Sequence, residues 1–388
     1  MSIDESQLRA AVVAVTDPEL RLPLGTLGMV GSIAVKRKRA TVELLLPVGH
    51  YPKVDELATR VRQAAAPLGV DEVAVETSVM GDEAQASLRA LLRGEDVTAG
   101  TPGAAGHGHS HGGGRLGHEE GRLNQFSLPR SKTRVIGISS GKGGVGKSSV
   151  TVNLGVVLAR MGYDVGILDA DVYGFSVPKM LGVHDEPLII GDLVVPPVAH
   201  GVRCLSMGYF VPDDTPVIWR GPMLHKALEQ FLVDAYWGEP DLLLVDMPPG
   251  TGDVTLSLGQ YLGKTEVFVV TTPQPAAQRV AQRSAYAARK LKLAVRGVIE
   301  NMSWFTGDDG TRYELFGAGG GEQLASELGV PLLAQLPLVP ALRQGGDDGV
   351  PVVVADPDGE AAAAFTALAQ ALVDLGPARV YRKELTIR

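Results

Sequence analysis

The sequence predicts an α/β fold with a mainly parallel sheet over residues 129–388, preceded by a small α+β unit over residues 1–95. Three observations carry this. Beyond residue 129, short continuous apolar runs alternate with stretches of helical period, the pattern of buried parallel strands joined by helices. A glycine-rich segment, Gly141-Lys142-Gly143-Gly144-Val145-Gly146-Lys147-Ser148, separates the first of those runs from the first of those helices. The N-terminal stretch instead mixes period-two alternation with amphipathic helical patterns, and a Gly/His-rich linker, 96–128, divides it from the rest.

Composition sets limits on what such a chain does. At 388 residues, 45% hydrophobic and 21% charged, it suits two domains with sizeable cores. The net charge of −8 and the lack of a long basic stripe argue against nucleic acid as a partner. No apolar run reaches the roughly eighteen residues a membrane span needs. The start, Met-Ser-Ile-Asp-Glu-Ser-Gln, is polar and acidic, so a cytoplasmic location is expected. Cys204 is the single cysteine, which rules out an intrachain disulfide.

In the N-terminal unit, Gln7 to Val15 places Leu8, Ala11, Val12 and Val15 on one helical face, and Asp17-Pro18-Glu19-Leu20 reads as a turn. Ser32 to Lys36 and Arg39 to Leu46 alternate as the two arms of a hairpin. Val54 to Leu68 is an amphipathic helix, and Val70 to Val79 a third strand. In the linker, Gly100 to Gly106 is flexible by composition. His107, His109 and His111, followed by His118, read as a solvated tract, with weak Zn²⁺ or Ni²⁺ binding as the alternative.

The glycine-rich segment lies between the apolar run Arg134 to Ser140 and a helical pattern from Lys147 to Met161. Its G-x-x-x-x-G-K-S spacing is that of a phosphate-binding P-loop. The backbone of Gly141, Gly143, Gly144, Val145 and Gly146 turns N–H groups inward, and the helix N-terminus adds positive charge. Lys147 then reaches the β- and γ-phosphates, Ser148 ligates Mg²⁺, and Ser149 closes the nucleotide-binding set. Asp164 to Leu168 runs into Asp169-Ala170-Asp171, where Asp171 is placed to orient an attacking water. Asp241 to Val245 runs into Asp246, the Walker B arrangement, which holds Mg²⁺ through a water. Pro248-Pro249-Gly250-Thr251-Gly252 is a hingeable switch II turn. Asp253 follows it, either as a γ-phosphate sensor or as the cap of a helix from Val254. Further strands are expected at Thr265 to Thr272, Ala294 to Asn301 and Leu332 to Leu338. Helices are expected at Pro275 to Lys292, with a solvated Arg/Lys/Gln-rich face, and at Gly359 to Leu375.

Lys142, a second lysine beside the first glycine of the loop, gives it the form K-G-G-V-G-K-S-S. This resembles the deviant Walker A motif of the ParA/MinD ATPases, in which the early lysine touches the partner subunit's nucleotide. The resemblance implies an ATP-sandwiched homodimer with Lys142, Lys147 and Asp171 as its catalytic residues. It also implies Asn301 against adenine and Pro337 opening a loop near the base. Taken together, GKGGVGKSS, LDADVYGFSVPKMLG, DMPPGTGD and ENMSWF resemble the Mrp/ApbC family of iron–sulfur cluster carriers over about residues 130 to 380. D-P-E-L, L-G-M-V and a G-x-x-P turn resemble the MIP18-like domain that accompanies it. The implied cofactors are ATP and Mg²⁺. A [4Fe–4S] cluster is implied at the dimer interface, delivered to apo iron–sulfur proteins or to other cluster-assembly factors. No membrane partner is implied; the tail Val380 to Arg388 alternates like a strand and makes no basic amphipathic helix.

Two departures bear on the chemistry. The family's C-x-x-C falls on Gly307 and Gly310, so a dimer brings two cysteines where a cubane cluster takes four thiolates. Cys204, inside the apolar run Val202 to Ser206, reads as a buried inert thiol, and Asp308 and Asp309 as loop acids with metal ligation the alternative. The cluster ligands are therefore unknown from the sequence. In the N-terminal unit, the turn Gly49-His50-Tyr51-Pro52 lacks the family's cysteine; His50 is a turn residue there, with a ligand role the alternative. Two functions stand: an ATP-hydrolysing iron–sulfur cluster carrier or maturation protein, and a ParA/MinD-like nucleotide-switched scaffold without a cluster.

Overall fold

The computed structural model describes residues 4–95, 124–172, 174–210, 221–250 and 252–378. The His-rich linker and the tail 380–388 lie outside them. The described residues form two compact units.

The first unit opens with α1 (Glu5–Val13) and the single turn α2 (Leu24–Leu27), then β1 (Val30–Lys36), β2 (Arg39–Leu46), α3 (Val54–Ala65), β3 (Glu72–Val79) and α4 (Asp82–Leu92). Asp4 caps α1, its carboxylate accepting the Ser6 N–H, so the helix starts two residues before the apolar periodicity does. β1 and β2 pair antiparallel as the expected hairpin, closing at Lys36 opposite Arg39. β3 joins β2 in parallel, which requires the α3 crossover between them. β2 buries alternate residues, Ala40, Val42, Leu44 and Leu46, in a core with Leu8 and Val12 of α1 and Leu57 and Val61 of α3. α4, whose apolar edge is faint in the sequence, contributes Leu88 and Leu92 to the same core.

The second unit contains β4 (Arg134–Ser140), α5 (Lys147–Arg160), β5 (Val165–Asp169) and α6 (Val177–Met180). A short hairpin follows, β6 (Leu188–Ile190) with β7 (Leu193–Val195), and then β8 (Val198–Ala199), β9 (Val202–Ser206), α7 (Gly221–Val233) and β10 (Leu242–Asp246). Next come α8 (Asp253–Tyr261), β11 (Glu266–Thr271), α9 (Pro275–Lys290) and β12 (Ala294–Glu300). The chain ends with the small hairpin β13 (Phe305–Thr306) and β14 (Arg312–Tyr313), α10 (Gly320–Leu328), β15 (Leu332–Gln335), α11 (Pro340–Asp348), α12 (Val352–Ala355) and α13 (Glu360–Asp374). One sheet runs in the order β15-β12-β11-β4-β10-β5-β9-β8. Its neighbours are parallel except the edge pair β8–β9. The continuous apolar runs are explained by burial on both faces. α5 and α13 cover one face through Val150, Leu154, Phe365 and Leu368, and α9 and α10 cover the other through Ala281, Ala285, Leu324 and Leu328.

The hairpin β6–β7 departs from the regular βαβ pattern. Pro187–Pro197 and Asp234–Gly238 belong to the first compact unit, although the expected boundary places them in the C-terminal domain. Leu188, Ile190, Leu193, Val195 and Tyr236 share a core with α1, β2 and α3.

Candidate nucleotide site

Sheet register brings the chemistry together. β4, β10 and β5 lie side by side, and Asp246 at the end of β10 pairs in register with Ile138 of β4 and Asp169 of β5. The P-loop leaves β4 at this edge and delivers Lys147 at the start of α5. Gly144 and Gly146 hold φ of +77° and +81°, the left-handed conformation that makes glycine necessary here. Gly141 is required for a different reason: a Cβ on it would sit 2.3 Å from the Ala281 nitrogen of α9. The loop borders a cavity of about 350 Å³ lined by Lys142, Gly143, Gly144, Gly146, Lys147, Ser148 and Ser149, with Asp171 and Pro249. Gly141 and Val145 do not line it; Val145 is buried and its carbonyl accepts from Asn301.

At the floor, the Lys147 ammonium lies 2.7 Å from Asp246 Oδ2 and 3.4 Å from Asp171 Oδ2. The Ser148 hydroxyl donates to the same Asp246 oxygen at 2.6 Å. Thr151 Oγ1 lies 2.8 Å from Asp246 Oδ1 and 3.0 Å from the Lys147 carbonyl. Asp246 is wholly buried, so these partners offset the cost of its charge. An adjoining hydroxyl and carboxylate are the oxygen donors Mg²⁺ takes from protein when phosphates and water supply the rest, so the residues present fit that ion.

Asp171 is aimed from the end of β5 by Asp169. The Asp169 carboxylate accepts the N–H of Asp171 on one oxygen (3.2 Å). On the other it accepts the N–H groups of Ser176 (3.1 Å) and Val177 (3.2 Å) and the Ser206 hydroxyl (3.0 Å). Burial, with the Asp246 charge adding to it and Lys147 opposing, pushes the Asp169 carboxyl up to about 7. Sequence reasoning missed the supporting roles of Thr151 and Asp169. Thr151, four residues after Lys147 and thus on the same helix face, carried a signal that was available.

Asn301 stands just past β12 and donates Nδ2 to the Val145 carbonyl at 2.9 Å. Its buried Oδ1 has no hydrogen-bond partner among the described residues. Pro337 runs alongside, between the bonds Leu336 N–H to Glu300 O (2.8 Å) and Leu338 N–H to Trp304 O (2.7 Å). Neither residue lines the P-loop cavity. α8 begins at Asp253 with Gly252 as its N-cap, so the expectation of Asp253 as cap is corrected; its side chain lies outside the described residues.

The cluster positions take another form. Gly307 and Gly310 lie in the turn between β13 and β14. The Gly307 N–H donates to the Thr311 carbonyl (2.9 Å), and Asp309 accepts from the Thr311 N–H (3.0 Å) and hydroxyl (2.7 Å). This turn closes on its own hydrogen bonds. Cys204 is fully buried on β9, and burial pushes its thiol well above the ordinary range. Among the described residues no group of three or more His, Cys, Asp or Glu side chains is placed to hold a metal ion. The residues present do not fit a four-thiolate cluster site. In the first unit, Tyr51 stands in the cysteine-less turn and donates to the buried Asp17 at 2.7 Å, while His50 is exposed.

The family model described as ParA, NUBPL iron-transfer P-loop NTPase, matches residues 131–373. The chain belongs to this NTPase family. A Mycobacterium tuberculosis protein described as an iron-sulfur cluster carrier protein is 44% identical over 359 residues, covering 90% of this chain and 88% of that one. A Synechocystis protein of the same description is 38% identical over 369 residues, covering 92% and 93%. A solved Archaeoglobus fulgidus nucleotide-binding protein in complex with ADP is 32% identical, with a TM-score of 0.52, covering 60% of this chain and 91% of that one. The NTPase match begins just before the P-loop strand and ends within the last helix. Among the described residues no helix is long and apolar enough to cross a membrane.

Proposed function

We propose that this NUBPL-type NTPase binds and hydrolyses ATP as a homodimer and uses the cycle to assist delivery of iron–sulfur clusters to apo-proteins. The observation that carries the reading is the convergence of Lys147, Ser148, Asp171 and Asp246 at the P-loop, in a chain whose relatives are described as cluster carriers. The Lys147 ammonium stands between two carboxylates; a γ-phosphate entering the loop takes over that charge. Ser148, and Asp246 through a water, would hold Mg²⁺, which would supply positive charge to the phosphates. Asp171 orients the attacking water, and Lys142, at the cavity rim, completes the partner subunit's site. Asn301 and the Pro337 loop receive the base. The cluster is cargo: with Cys204 buried and no second cysteine, thiolates from the client or from another carrier hold it.

The test pairs ATP hydrolysis with transfer of a [4Fe–4S] cluster from a loaded donor to an apo-enzyme. Hydrolysis and ATP-stimulated transfer are expected in the wild type, and loss of both in Lys147→Ala. The missing C-x-x-C favours a second reading, the nucleotide-switched scaffold; hydrolysis without any effect on transfer would select it.

A further inference from the structure

α8 and α9 enclose a groove of about 490 Å³ on the second unit. Leu256 and Tyr286 form its apolar walls, exposed at 45% and 44%. Leu291 closes one end, where a Cβ on Gly259 would come within 3.3 Å of it. Arg283 and Lys290, both exposed, stand on the rim, and no lining residue is acidic. The chain as a whole carries a net charge of −8, so this basic rim runs against its prevailing sign. The rim charge selects the occupant: two exposed cations, with no acid among the lining residues, take carboxylates.

Both walls are tied to the nucleotide site. The α9 backbone at Val280 and Ala281 packs directly against Gly141, the first glycine of the P-loop. The other wall, α8, begins three residues after Gly250, whose N–H donates to Ser140 at 3.0 Å, and the preceding Pro249 lines the nucleotide cavity. A shift of the P-loop at Gly141, or of Pro249 and Gly250, is therefore passed to a wall of the groove.

We infer that the α8–α9 groove is a nucleotide-read docking site for a partner protein, which presents a short amphipathic segment with apolar residues toward Leu256 and Tyr286 and carboxylates toward Arg283 and Lys290. Single exposed apolar residues need no explanation; an apolar groove with paired cations on its rim does. The nucleotide dependence rests on the ATP-driven reading above; the charge-specific docking does not.

The probe is a synthetic amphipathic peptide of about sixteen residues with leucines at helical spacing and glutamates on the other face. Its counterpart carries lysine in place of each glutamate. Binding to the full-length protein is followed by fluorescence anisotropy with Mg·ADP and with a non-hydrolysable Mg·ATP analogue. The glutamate peptide is expected to bind at least ~10-fold tighter than the lysine peptide, and Arg283→Glu with Lys290→Glu to remove that preference. Leu256→Ser weakens both. Affinity differs between the two nucleotides, and the double charge reversal retains ATP hydrolysis. Equal binding of the two peptides, binding unaffected by the charge reversal, or a preference for phosphatidylglycerol vesicles over the peptide would overturn the inference. Charge-specific binding in a protein that hydrolyses no ATP would leave the docking site standing and remove the ATPase reading instead.

Discussion

Replacing Thr151 by valine tests whether the floor of the nucleotide site is built as described. The hydroxyl of this wholly buried residue faces two acceptors with one proton. Asp246, at 2.8 Å and charged, is the stronger of them. Valine preserves the shape and opens no cavity, so the loss is that of a hydrogen bond to a buried carboxylate. Such bonds contribute about 1.5–3 kcal/mol. For a domain of this size each kcal/mol moves the melting temperature by about 2–4 °C, which places the expected drop at about 3–12 °C. Thermal unfolding of the full chain reads the shift in temperature, and urea unfolding, with and without Mg·ATP, reads the free energy. Thr151→Ser keeps the hydroxyl and loses one methyl, worth about 0.8 kcal/mol, so it should stay nearer the wild type. A valine variant within about 0.5 kcal/mol of wild type, or a serine variant as unstable as the valine one, would refute the assignment of the proton to Asp246.

Four further outcomes are expected. Lys142→Ala should retain nucleotide binding, read by equilibrium dialysis, while steady-state hydrolysis is lost; normal turnover would remove the shared site. Gly141→Ala forces a methyl into the Val280–Ala281 backbone, so stability should fall by about 1–3 kcal/mol and ATP affinity with it. Tyr51→Phe leaves the buried Asp17 without its phenol donor and should cost about 1.5–3 kcal/mol in denaturant unfolding of the full chain. Asp169 has its folded-state value raised to about 7 from a reference of 3.8. The folded protein thus keeps a proton that the unfolded chain releases across that window, and stability falls as pH rises through it. Asp169→Asn should flatten this slope in melting curves taken across pH 5 to 8, and a slope identical to wild type would discount the shift.

The P-loop, the strand-end carboxylates and the parallel sheet were legible because each is local. Strand, turn and helix signals flank Gly141–Ser148 within some thirty residues, and burial on both faces writes β10 as Leu-Leu-Leu-Val. What escaped was tertiary. Asp169 was visible as a strand-end acid, but its four donors come from Asp171, Ser176, Val177 and Ser206, and Ser206 reaches it only through the β5–β9 pairing. Asn301 was placed by resemblance, while its grip on the Val145 carbonyl spans 156 residues. Helix α4 went unread because Leu88 and Leu92 show one faint apolar edge between polar residues. Membership of the first unit by β6 and β7 leaves no mark in either segment's own sequence.

That membership has a consequence for how the protein is made. A ribosome that has released residues 1–95 has released every strand of the β1–β2–β3 sheet, yet not Leu188, Ile190, Leu193, Val195 or Tyr236. The first unit must hold an open apolar edge until more than half the chain has been synthesised, while α5 and β5 are already emerging. Its contacts are therefore of long sequence separation, which slows folding, and the waiting edge is a natural substrate for chaperones. Vectorial synthesis, which ordinarily lets an N-terminal domain finish first, here obliges the earliest part of the chain to complete itself late.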